Sequence, residues 1–356
     1  MRTGGRQAES FGFVTCGPAL IVLVLVGESK VPLKLYFTQT EHEDQIWGSD
    51  GCDWAVTMAD QMLQAPDPRY EMVDRPDRAD LIIFWEPHQD SQVIWIPRLR
   101  AHPLVREFPN RVFVVSVEDS PLGLLSGLYT SLPARRHHPQ RHRTWLYYRT
   151  QNPYLEARRA ARPVSAPSNL ASFSGADSHP LRARLLEMAD ALAGYGIIIR
   201  ATQRHRFSAN PNDPLLEPSQ LDYIDAILGA KFSLCPRGNG AGSYRLQESL
   251  ALGRAPVIIS DDWVPVADLD WERFAVFVAE KDLHDLPFLL REHEARWEEM
   301  GDLALQVYAS HFGRGVFAAR AVEQIVAIDE ARTHDERDFF SRWDQIIEDA
   351  RRRSHP

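Results

Sequence analysis

The chain has 356 residues, of which 44% are hydrophobic, and its 40 basic and 49 acidic side chains give a formal net charge of −9. This length and composition predict about two domains with hydrophobic cores and exclude a largely disordered chain. The acidic balance argues against a nucleic-acid-binding surface, because phosphate backbones require clustered Lys and Arg. The cysteines Cys16, Cys52 and Cys235 are too few for a disulfide framework, which favours a reducing, cytoplasmic compartment.

Residues 1–30 are interpreted as an N-terminal extension. They include a mostly apolar run over 11–26, preceded by Arg2 and Arg6. The run is short for a membrane span, which takes about 20 residues, and Pro18 interrupts it. The run is interpreted either as a signal peptide or signal anchor, or as a poorly ordered extension or an extra apolar strand. Peripheral membrane association is left open with these alternatives.

Alternating strand and helix patterns begin at residue 33. Strands are predicted at 33–37, 81–85 and 112–117, with a helix at 54–63. Continuous apolar runs of this length are typical of strands that helices cover on both faces of a parallel sheet. The pattern predicts a Rossmann-like domain over residues 31–162.

A second alternation follows a Pro- and Ser-rich linker. Its predicted strands lie at 170–173, 197–200, 231–235, 255–259 and 275–278, and its predicted helices at 180–193, 219–228 and 243–252. This predicts a second Rossmann-like domain over 163–312. The remaining residues, 313–356, are predicted to form a crossing helix at 315–331 and a tail.

The clearest functional pattern lies between residues 231 and 262. The predicted strand that ends near Pro236 is followed by Arg237 and a loop with three glycines, then Ser243. Ligands of open parallel sheets bind beyond the carboxyl ends of strands, and glycines let backbone N–H groups approach them. Ser243 is typical of a helix N-cap, and a helix N-terminus beside Arg237 attracts phosphate oxygens. The loop therefore predicts an anion-binding site.

The helix after this loop carries Arg245 and Glu248 three residues apart, so that both lie on one face. In the first turn, Arg245 would lie near a bound diphosphate. One turn deeper, Glu248 would accept hydrogen bonds from two ribose hydroxyls. The residue types alone fit an ordinary surface Arg–Glu pair equally well.

This segment contains three sequence blocks, KFSLCPRGNG over 231–240, SYRLQESLALG over 243–253 and APVIISDDW over 255–263. Together they resemble the exostosin family of glycosyltransferases, that is, family 47. Ser174-Gly175, His179-Pro180 and Arg182 continue the resemblance at the start of the second domain. It covers about 165–310 well and 31–160 more loosely, and it is similar to the compact bacterial form of the family.

The resemblance implies an α/β fold of the GT-B type, with two Rossmann-like domains facing a central cleft and C-terminal helices crossing back. It implies inverting transfer from a nucleotide sugar, with a UDP-sugar favoured, to a hydroxyl of a glycan or lipid-linked acceptor. The product would belong to polysaccharide or glycoconjugate synthesis. By resemblance, the arginines hold the diphosphate and the glutamate holds the ribose. The predicted donor-binding residues are Arg237, Gly238, Asn239, Gly240, Ser243, Tyr244, Arg245, Glu248, Ser260 and Asp261.

No metal and no other cofactor is expected. Asp268-Leu269-Asp270 matches the metal-binding string of other transferases, but it precedes Trp271 in a loop rather than at a strand end. An oxygen-only metal site needs several converging ligands. The arginines and the helix terminus would instead meet the charge that develops on the leaving diphosphate.

Inverting transfer needs a general base for the acceptor hydroxyl. The loops of the first domain would supply it, and Glu118 and Asp119 are favoured because they directly follow a buried strand. His88 is the third candidate, and a helix-cap or loop role is the alternative for each. His42, Asp44 and Glu86 also lie at strand ends.

Two other features of the first domain have open interpretations. The basic block over 135–143 would grip an anionic acceptor or form a solvated, mobile loop, and the loop is favoured. Aromatic residues around it would stack on sugar rings or belong to the core. They are Tyr129, Trp145, Tyr147 and Tyr148.

Two alternative functions stay open. One is a nucleotide-sugar epimerase on the same two-domain frame, which would act without an acceptor. The other is a catalytically degenerate subunit that binds the nucleotide sugar and lacks a base.

Overall fold

The computed structural model describes residues 31–40, 54–86, 99–119, 121–148, 152, 154–161, 167–202 and 216–354. The N-terminal extension with its apolar run and the candidate residues His42, Asp44 and His88 lie outside these ranges. Among the described residues, no helix has the length and apolar character needed to cross a membrane.

The first sheet has six parallel strands in the order β2-β1-β3-β4-β5-β6. They are β1 (Leu33–Thr38), β2 (Tyr70–Met72), β3 (Leu81–Glu86), β4 (Val112–Ser116), β5 (Gly127–Tyr129) and β6 (His142–Thr144). Every residue of β3 and β4 is buried, as expected for strands with helices on both faces. This confirms the strands predicted from continuous apolar runs. The three-residue strands β2, β5 and β6 have no such run and were not predicted.

The second sheet has five parallel strands in the order β11-β10-β9-β7-β8. They are β7 (Asn169–Gly175), β8 (Ile197–Ala201), β9 (Ala230–Pro236), β10 (Ala255–Ile259) and β11 (Val276–Val278). All five were predicted within a few residues. The two sheets confirm the predicted α/β class with two parallel α/β units.

Helices accompany both sheets. Those of the first sheet are α1 (Trp54–Gln64) and α2 (Pro103–Glu107), whereas α3 (Leu155–Ala160) packs against helices of the second sheet. Those of the second sheet are α4 (Pro180–Glu187), α5 (Ala189–Ala193), α6 (Leu216–Leu228) and α7 (Arg245–Ala251). The helix predicted over 180–193 is divided at Met188, which caps both halves.

The helices after the second sheet divide between the two sheets. Helices α8 (Leu286–His293) and α9 (Trp297–Val307) pack against the second sheet. The chain then returns to the first sheet with α10 (Phe317–Glu330), α11 (Arg337–Phe340) and α12 (Trp343–Ser354). Helix α10 packs against α1, β5 and β6, and Trp343 of α12 is buried in the core on the other face of the first sheet. This confirms the crossing helix and, with the two sheets, the GT-B-type fold.

A shared hydrophobic core joins the two sheets. It includes Trp145 after β6 and Leu246 and Leu250 of α7. The Trp145 ring centroid lies 4.9 Å from that of Phe312 and 5.9 Å from that of Phe317. Aromatic contacts of this kind stabilise a pair by about 0.5–1.5 kcal/mol beyond the burial of their surface. Tightly packed hydrophobic side chains therefore connect the two sheets.

The aromatic residues around the basic block belong to the core. Tyr129, Trp145, Tyr147 and Tyr148 are each at most 6% exposed. The alternative that they form an open platform for sugar rings is therefore wrong for these residues.

The basic block is only partly a solvated loop. Arg141 and His142 are each 2% exposed, and His142 begins β6. The Arg141 guanidinium pairs with the fully buried Glu336, with 2.7 Å between Nη2 and Oε2, and stacks 3.8 Å from the Phe339 ring centroid. The prediction of a mobile loop is wrong at this point, because the partner carboxylate comes from the distant C-terminal segment.

Glu336 collects further hydrogen bonds in this site. The Ser126 hydroxyl donates to its carboxylate, and His334 Nε2 lies 3.1 Å from Oε1. Burial by itself raises the pKa of Glu336, but the hydrogen bonds and charge of Arg141, with the bonds from Ser126 and His334, outweigh it and hold the pKa below its usual value. The pair therefore fastens the C-terminal segment to the first sheet in its charged form.

Glu336→Gln should remove this charge at nearly constant volume. At neutral pH we expect the free energy of unfolding to fall by about 3–5 kcal/mol, because Arg141 would be left buried without a counter-charge. A carboxylate with a lowered pKa stabilises the fold above its unfolded-state pKa of about 4.3 and loses that contribution as the pH falls through the folded-state value. The difference between wild type and variant should therefore shrink as the solution is acidified below about pH 4.

Urea unfolding at several pH values measures this difference. Asp77→Asn is the matched control, because Asp77 pairs with Arg75 at the surface, where both side chains are at least 50% exposed. The control should change stability little at neutral pH. Equal losses in the two variants would contradict a special role for the buried pair.

Candidate active site

The strand order of the second sheet reverses between β7 and β9. Strand β8 lies on one side of β7, whereas β10 and β11 continue beyond β9. A reversal of this kind opens a crevice beyond the carboxyl ends of the two central strands, where ligands of such sheets bind. The two strands end at Gly175 and Pro236. The loop over 237–243, called here the glycine loop, therefore lies at the mouth of the crevice.

Arg182 of α4 fastens the start of the glycine loop. Its Nε and Nη2 donate to the carbonyl oxygens of Arg237 and Pro236 at 2.9 Å and 3.0 Å, and Nη1 donates to Ser178 Oγ at 3.0 Å. Burial, and next the nearby Arg245 cation, lower the pKa of Arg182 to about 9. Arg182 was noted only as part of the family resemblance. Its place in the first turn of a helix beside the crevice was the signal that it belongs to the site.

Arg245 crosses the crevice from α7 to β7. Its Nη2 donates to the carbonyl oxygen of Ser174, and its guanidinium carbon lies 4.6 Å from the Phe173 ring centroid and 5.8 Å from that of Tyr223. A Cβ atom at Gly175 would collide with this guanidinium, so a side chain at this position would displace Arg245. Both edges of the crevice thus carry an arginine.

Arg237 stands at the outer end of the crevice beside two carboxylates. Its Nη1 donates to Asp262 Oδ2 at 3.1 Å and lies 3.7 Å from Glu280 Oε1. Asp262 Oδ2 also accepts a hydrogen bond of 2.9 Å from Arg135 of the first domain. One edge of Arg237 is therefore occupied by protein carboxylates, and a ligand would share or replace them.

Several buried polar atoms in this region have no protein partner within the described ranges. They are Arg237 Nε, Arg245 Nε and Ser243 Oγ. An unsatisfied buried donor costs about 1–3 kcal/mol, so such atoms are expected to be partnered when the protein works. Donors of this type on guanidinium groups suit a ligand with several anionic oxygens.

Ser243 does not cap α7 as predicted. The helix begins at Arg245, the cap position is Tyr244 with a helical φ of −54° and ψ of −32°, and no side chain accepts a hydrogen bond from the first turn. The chain has already entered the helical conformation at Tyr244, so the capping geometry does not form. The Ser243 hydroxyl is consequently left in the crevice.

Gly240 and Gly242 face the first domain. A Cβ atom on Gly240 would lie 2.6 Å from the Asp119 carbonyl oxygen, and one on Gly242 would collide with the carbonyl oxygen of Thr130. The Gly242 N–H donates to Ser131 Oγ at 3.1 Å. These two glycines thus let two backbones meet across the cleft, whereas the sequence analysis assigned them to approach a ligand. Gly238 instead packs against Arg182.

Glu248 is buried one turn below Arg245. It is 2% exposed, and its Oε2 accepts a hydrogen bond of 2.5 Å from the Tyr223 hydroxyl. The burial rules out the alternative of a surface Arg–Glu pair. Tyr223 was missed as a site residue because its spacing with Ile224 and Ile227 on α6 is that of an ordinary core face.

The other predicted donor residues surround the crevice. Tyr244 packs on Tyr147 of the first domain with ring centroids 4.0 Å apart. Ser260 Oγ donates to the Ala241 carbonyl oxygen at 2.9 Å, and Asp261 Oδ1 accepts from the Glu280 N–H at 3.0 Å. Asn239 is exposed at the tip of the glycine loop. Ser260 and Asp261 thus support the backbone around the site.

Asp119 is the candidate base that the structure brings to the glycine loop. Its backbone abuts Gly240, its Oδ1 accepts a hydrogen bond of 3.1 Å from the Tyr147 hydroxyl, and its charge acts on Arg182 across the cleft. Glu118 is 6% exposed, and its charge acts on Tyr129 within the first domain. His88 lies outside the described residues. Of the two described candidates, Asp119 has the more suitable position.

One carboxylate of the Asp268-Leu269-Asp270 string pairs with an arginine of the first domain. Asp268 has a left-handed φ of 64°, and its Oδ2 pairs with Arg143 Nη1 at 3.2 Å. Over the described ranges, no group of three or more His, Cys, Asp or Glu side chains is arranged to hold a metal ion. Independence from a metal stays a prediction.

The segment that carries this crevice is similar to a known domain. Residues 136–293 match the model of the exostosin GT47 domain. The match contains the five strands of the second sheet, the glycine loop and all three crevice arginines.

Curated relatives agree with this match. The exostosin-1 homolog of Caenorhabditis elegans is 36% identical over 98 residues, which cover 27% of this chain and 26% of that protein. The probable beta-1,4-xylosyltransferase IRX10 of Arabidopsis thaliana is 41% identical over 93 residues, which cover 26% of this chain and 23% of that protein. The chain thus spans about a quarter of the length of these relatives.

Among solved structures, TarM covers 70% of this chain and 54% of its own, with 8% sequence identity and a TM-score of 0.39. The fold assignment therefore depends on the two parallel sheets and the returning helices, not on that superposition. Residues 136–293, which contain the motif blocks around the crevice, are therefore similar to the exostosin GT47 domain.

Proposed function

We propose that the protein is an inverting, metal-independent glycosyltransferase. It takes a sugar from a nucleotide-sugar donor, for which a UDP-sugar is favoured, and joins it to a hydroxyl of a glycan acceptor. The exostosin GT47 match and the relative named as a xylosyltransferase support glycosyl transfer as the reaction class.

One observation carries the proposal. The crevice at the β7–β9 switch point holds Arg182, Arg237 and Arg245, and the Nε atoms of Arg237 and Arg245 have no acceptor in the described ranges. A diphosphate supplies several anionic oxygens in a small volume, which is the ligand chemistry that such donors require. The lowered pKa of Arg182, due to burial and then to Arg245, is consistent with cations held close together in preparation for an anion.

Glu248 is assigned to the ribose of the donor. It lies one turn below Arg245 on α7 and is held by the Tyr223 hydroxyl. A carboxylate fixed in this way is suited to accept hydrogen bonds from neighbouring hydroxyls of a sugar ring. Diphosphate and ribose would then lie in sequence along the first turns of one helix.

The transfer step follows from these positions. An acceptor hydroxyl attacks the anomeric carbon of the donor sugar, and Asp119 takes its proton. A new carbon–oxygen bond forms while the bond between the sugar and the phosphate breaks, which inverts the anomeric centre. The electron pair of the broken bond passes to the nucleoside diphosphate, whose added charge is stabilised by Arg237 and Arg245. Positive charge fixed in the protein would thus take the place of a metal ion.

A panel of UDP-, GDP- and TDP-sugars tests the function. We expect one nucleotide class to raise the melting temperature by mass action, with UDP as the favoured class. Incubation of that donor with glycan acceptors should yield a product of inverted configuration, also in the presence of EDTA. The proposal would be contradicted if no nucleotide changed the melting temperature. It would also be contradicted if the enzyme epimerised the donor sugar without an acceptor.

Arg245→Lys should separate geometry from charge in the crevice. Lysine keeps the positive charge but loses the planar set of donors, so we expect the dissociation constant of the nucleoside diphosphate to rise about 10-fold or more. Isothermal titration calorimetry measures the change. Arg296→Lys is the control, because this exposed arginine pairs only with Glu299 on the same helical stretch among the described residues. Equal affinity in all three proteins would remove Arg245 from the donor site.

Asp119→Asn tests the base. We expect kcat to fall by about 10²–10⁴-fold, because the amide cannot accept the proton, while the affinity for the donor changes little. Glu118→Gln is the comparison within the same loop and should have the smaller effect on kcat. The reverse order of the two effects would transfer the role of base to Glu118.

A further inference from the structure

A chain of hydrogen bonds crosses the cleft from the glycine loop to Asp119. The Gly242 N–H donates to Ser131 Oγ at 3.1 Å, Ser131 Oγ lies 2.5 Å from the Tyr147 hydroxyl, and the Tyr147 hydroxyl donates to Asp119 Oδ1 at 3.1 Å. The first group belongs to the second domain and the other three to the first domain.

The direction of this chain is determined by its two ends. A backbone N–H only donates, and an ionised carboxylate only accepts. Because the single proton of Tyr147 is directed to Asp119, the proton of the Ser131 hydroxyl must be directed to the tyrosine oxygen. Every member is thus oriented from Gly242 towards Asp119, and hydrogen bonds in such a series polarise one another.

Packing holds the middle of the chain in place. Ser131 is 1% and Tyr147 3% exposed, and the tyrosine ring lies against Tyr244. Burial, followed by the charge of Asp119, raises the pKa of Tyr147 well above its ordinary value, so the phenol keeps its proton at neutral pH. Thr130 is a further hydrogen-bonding neighbour of the Tyr147 hydroxyl. The tyrosine is therefore a fixed donor.

The charged groups near this carboxylate come from both domains. Arg182 faces Asp119 across the cleft, and Arg245 lies beside Arg182. Glu118 precedes Asp119 in the sequence. The Tyr147 phenol contacts the Asp119 carboxylate from the side of the first domain. Of these groups, the phenol is the one whose hydrogen bond to the carboxylate is removed by deleting a single oxygen atom.

We propose that Tyr147 is a positioning residue that orients the Asp119 carboxylate and, through Ser131, makes that orientation depend on contact with the glycine loop. The inference rests on the proposed function, in which Asp119 accepts the proton of the acceptor hydroxyl. When Gly242 moves away from Ser131, the chain loses its terminal donor. The Asp119 carboxylate is therefore oriented for proton transfer when the glycine loop contacts the first domain.

Tyr147→Phe removes the hydroxyl and keeps the ring that packs on Tyr244. Loss of a hydrogen bond donated to a carboxylate disfavours its charged form. We expect the titration midpoint of Asp119 to rise by about one pH unit and the acidic limb of the kcat/KM profile to move with it. The midpoint is followed by ¹³C NMR on protein labelled at aspartate carboxyls, and the Asp119 signal is the one absent from Asp119→Asn.

Two further variants serve as a control and as a test of the Ser131 link. Tyr129→Phe is the matched control, because Tyr129 is equally buried and its hydroxyl donates to the Leu125 carbonyl oxygen at 2.6 Å. It should leave both the midpoint and the limb unchanged. Ser131→Ala removes the link to Gly242 and keeps the tyrosine, so it should shift both quantities in the same direction by less.

The outcomes separate this proposal from the function on which it rests. An unchanged Asp119 midpoint in Tyr147→Phe overturns the hydrogen-bonded chain, whatever the activity. A moved midpoint with an unmoved acidic limb overturns the positioning role, because another group would then control the rate. A wild type that never transfers sugar refutes the proposed function and the positioning role with it, while the NMR midpoint still decides whether the chain exists.

Discussion

The structure of the site depends on two arginine cations held close together, Arg182, which is buried, and Arg245, which is partly buried. In the described part of the chain, Arg182 and Arg245 donate to backbone oxygens at the ends of β7 and β9 and form no ion pair. The Phe173 ring face and these carbonyl dipoles compensate only part of the charge, as the lowered pKa of Arg182 indicates, with burial as its first cause and Arg245 as its second. An anion in the crevice would supply the missing charge, so the proposed affinity for a diphosphate would follow from an arrangement that is otherwise unfavourable.

The same crevice is connected to the contact between the domains. Asp262 Oδ2 accepts hydrogen bonds from Arg237 on one side and from Arg135 of the first domain on the other. A phosphate oxygen that bound Arg237 would compete for the first of these bonds and leave the second to Arg135. Occupation of the proposed donor site and the contact between the domains would therefore involve the same carboxylate.

The sequence predicted the parts of this structure that depend on local pattern. Continuous apolar runs located β3, β4, β9 and β10, and the motif blocks located the glycine loop and the α7 residues Arg245 and Glu248. What it missed depends on partners far along the chain. Arg141 is buried because Glu336 reaches it from the C-terminal segment, and β5 and β6 are three-residue strands specified by their neighbours. Tyr147 had the pattern of a core aromatic, and its hydroxyl gains a role through Ser131 and Asp119, which lie apart from it in the sequence.

The glycine loop shows why residue type alone left its function incomplete. A glycine permits close approach of the backbone, but it does not specify what approaches. At Gly240 and Gly242 the approaching groups are the backbones of Asp119 and Thr130 with the Ser131 side chain, whereas at Gly238 it is the Arg182 guanidinium. A side chain at Gly240 or Gly242 would collide with the first domain and push the two domains apart. The loop thus borders the proposed anion site and also contacts the segment that carries the candidate base, so the proposed donor binding and base placement would depend on the same short segment.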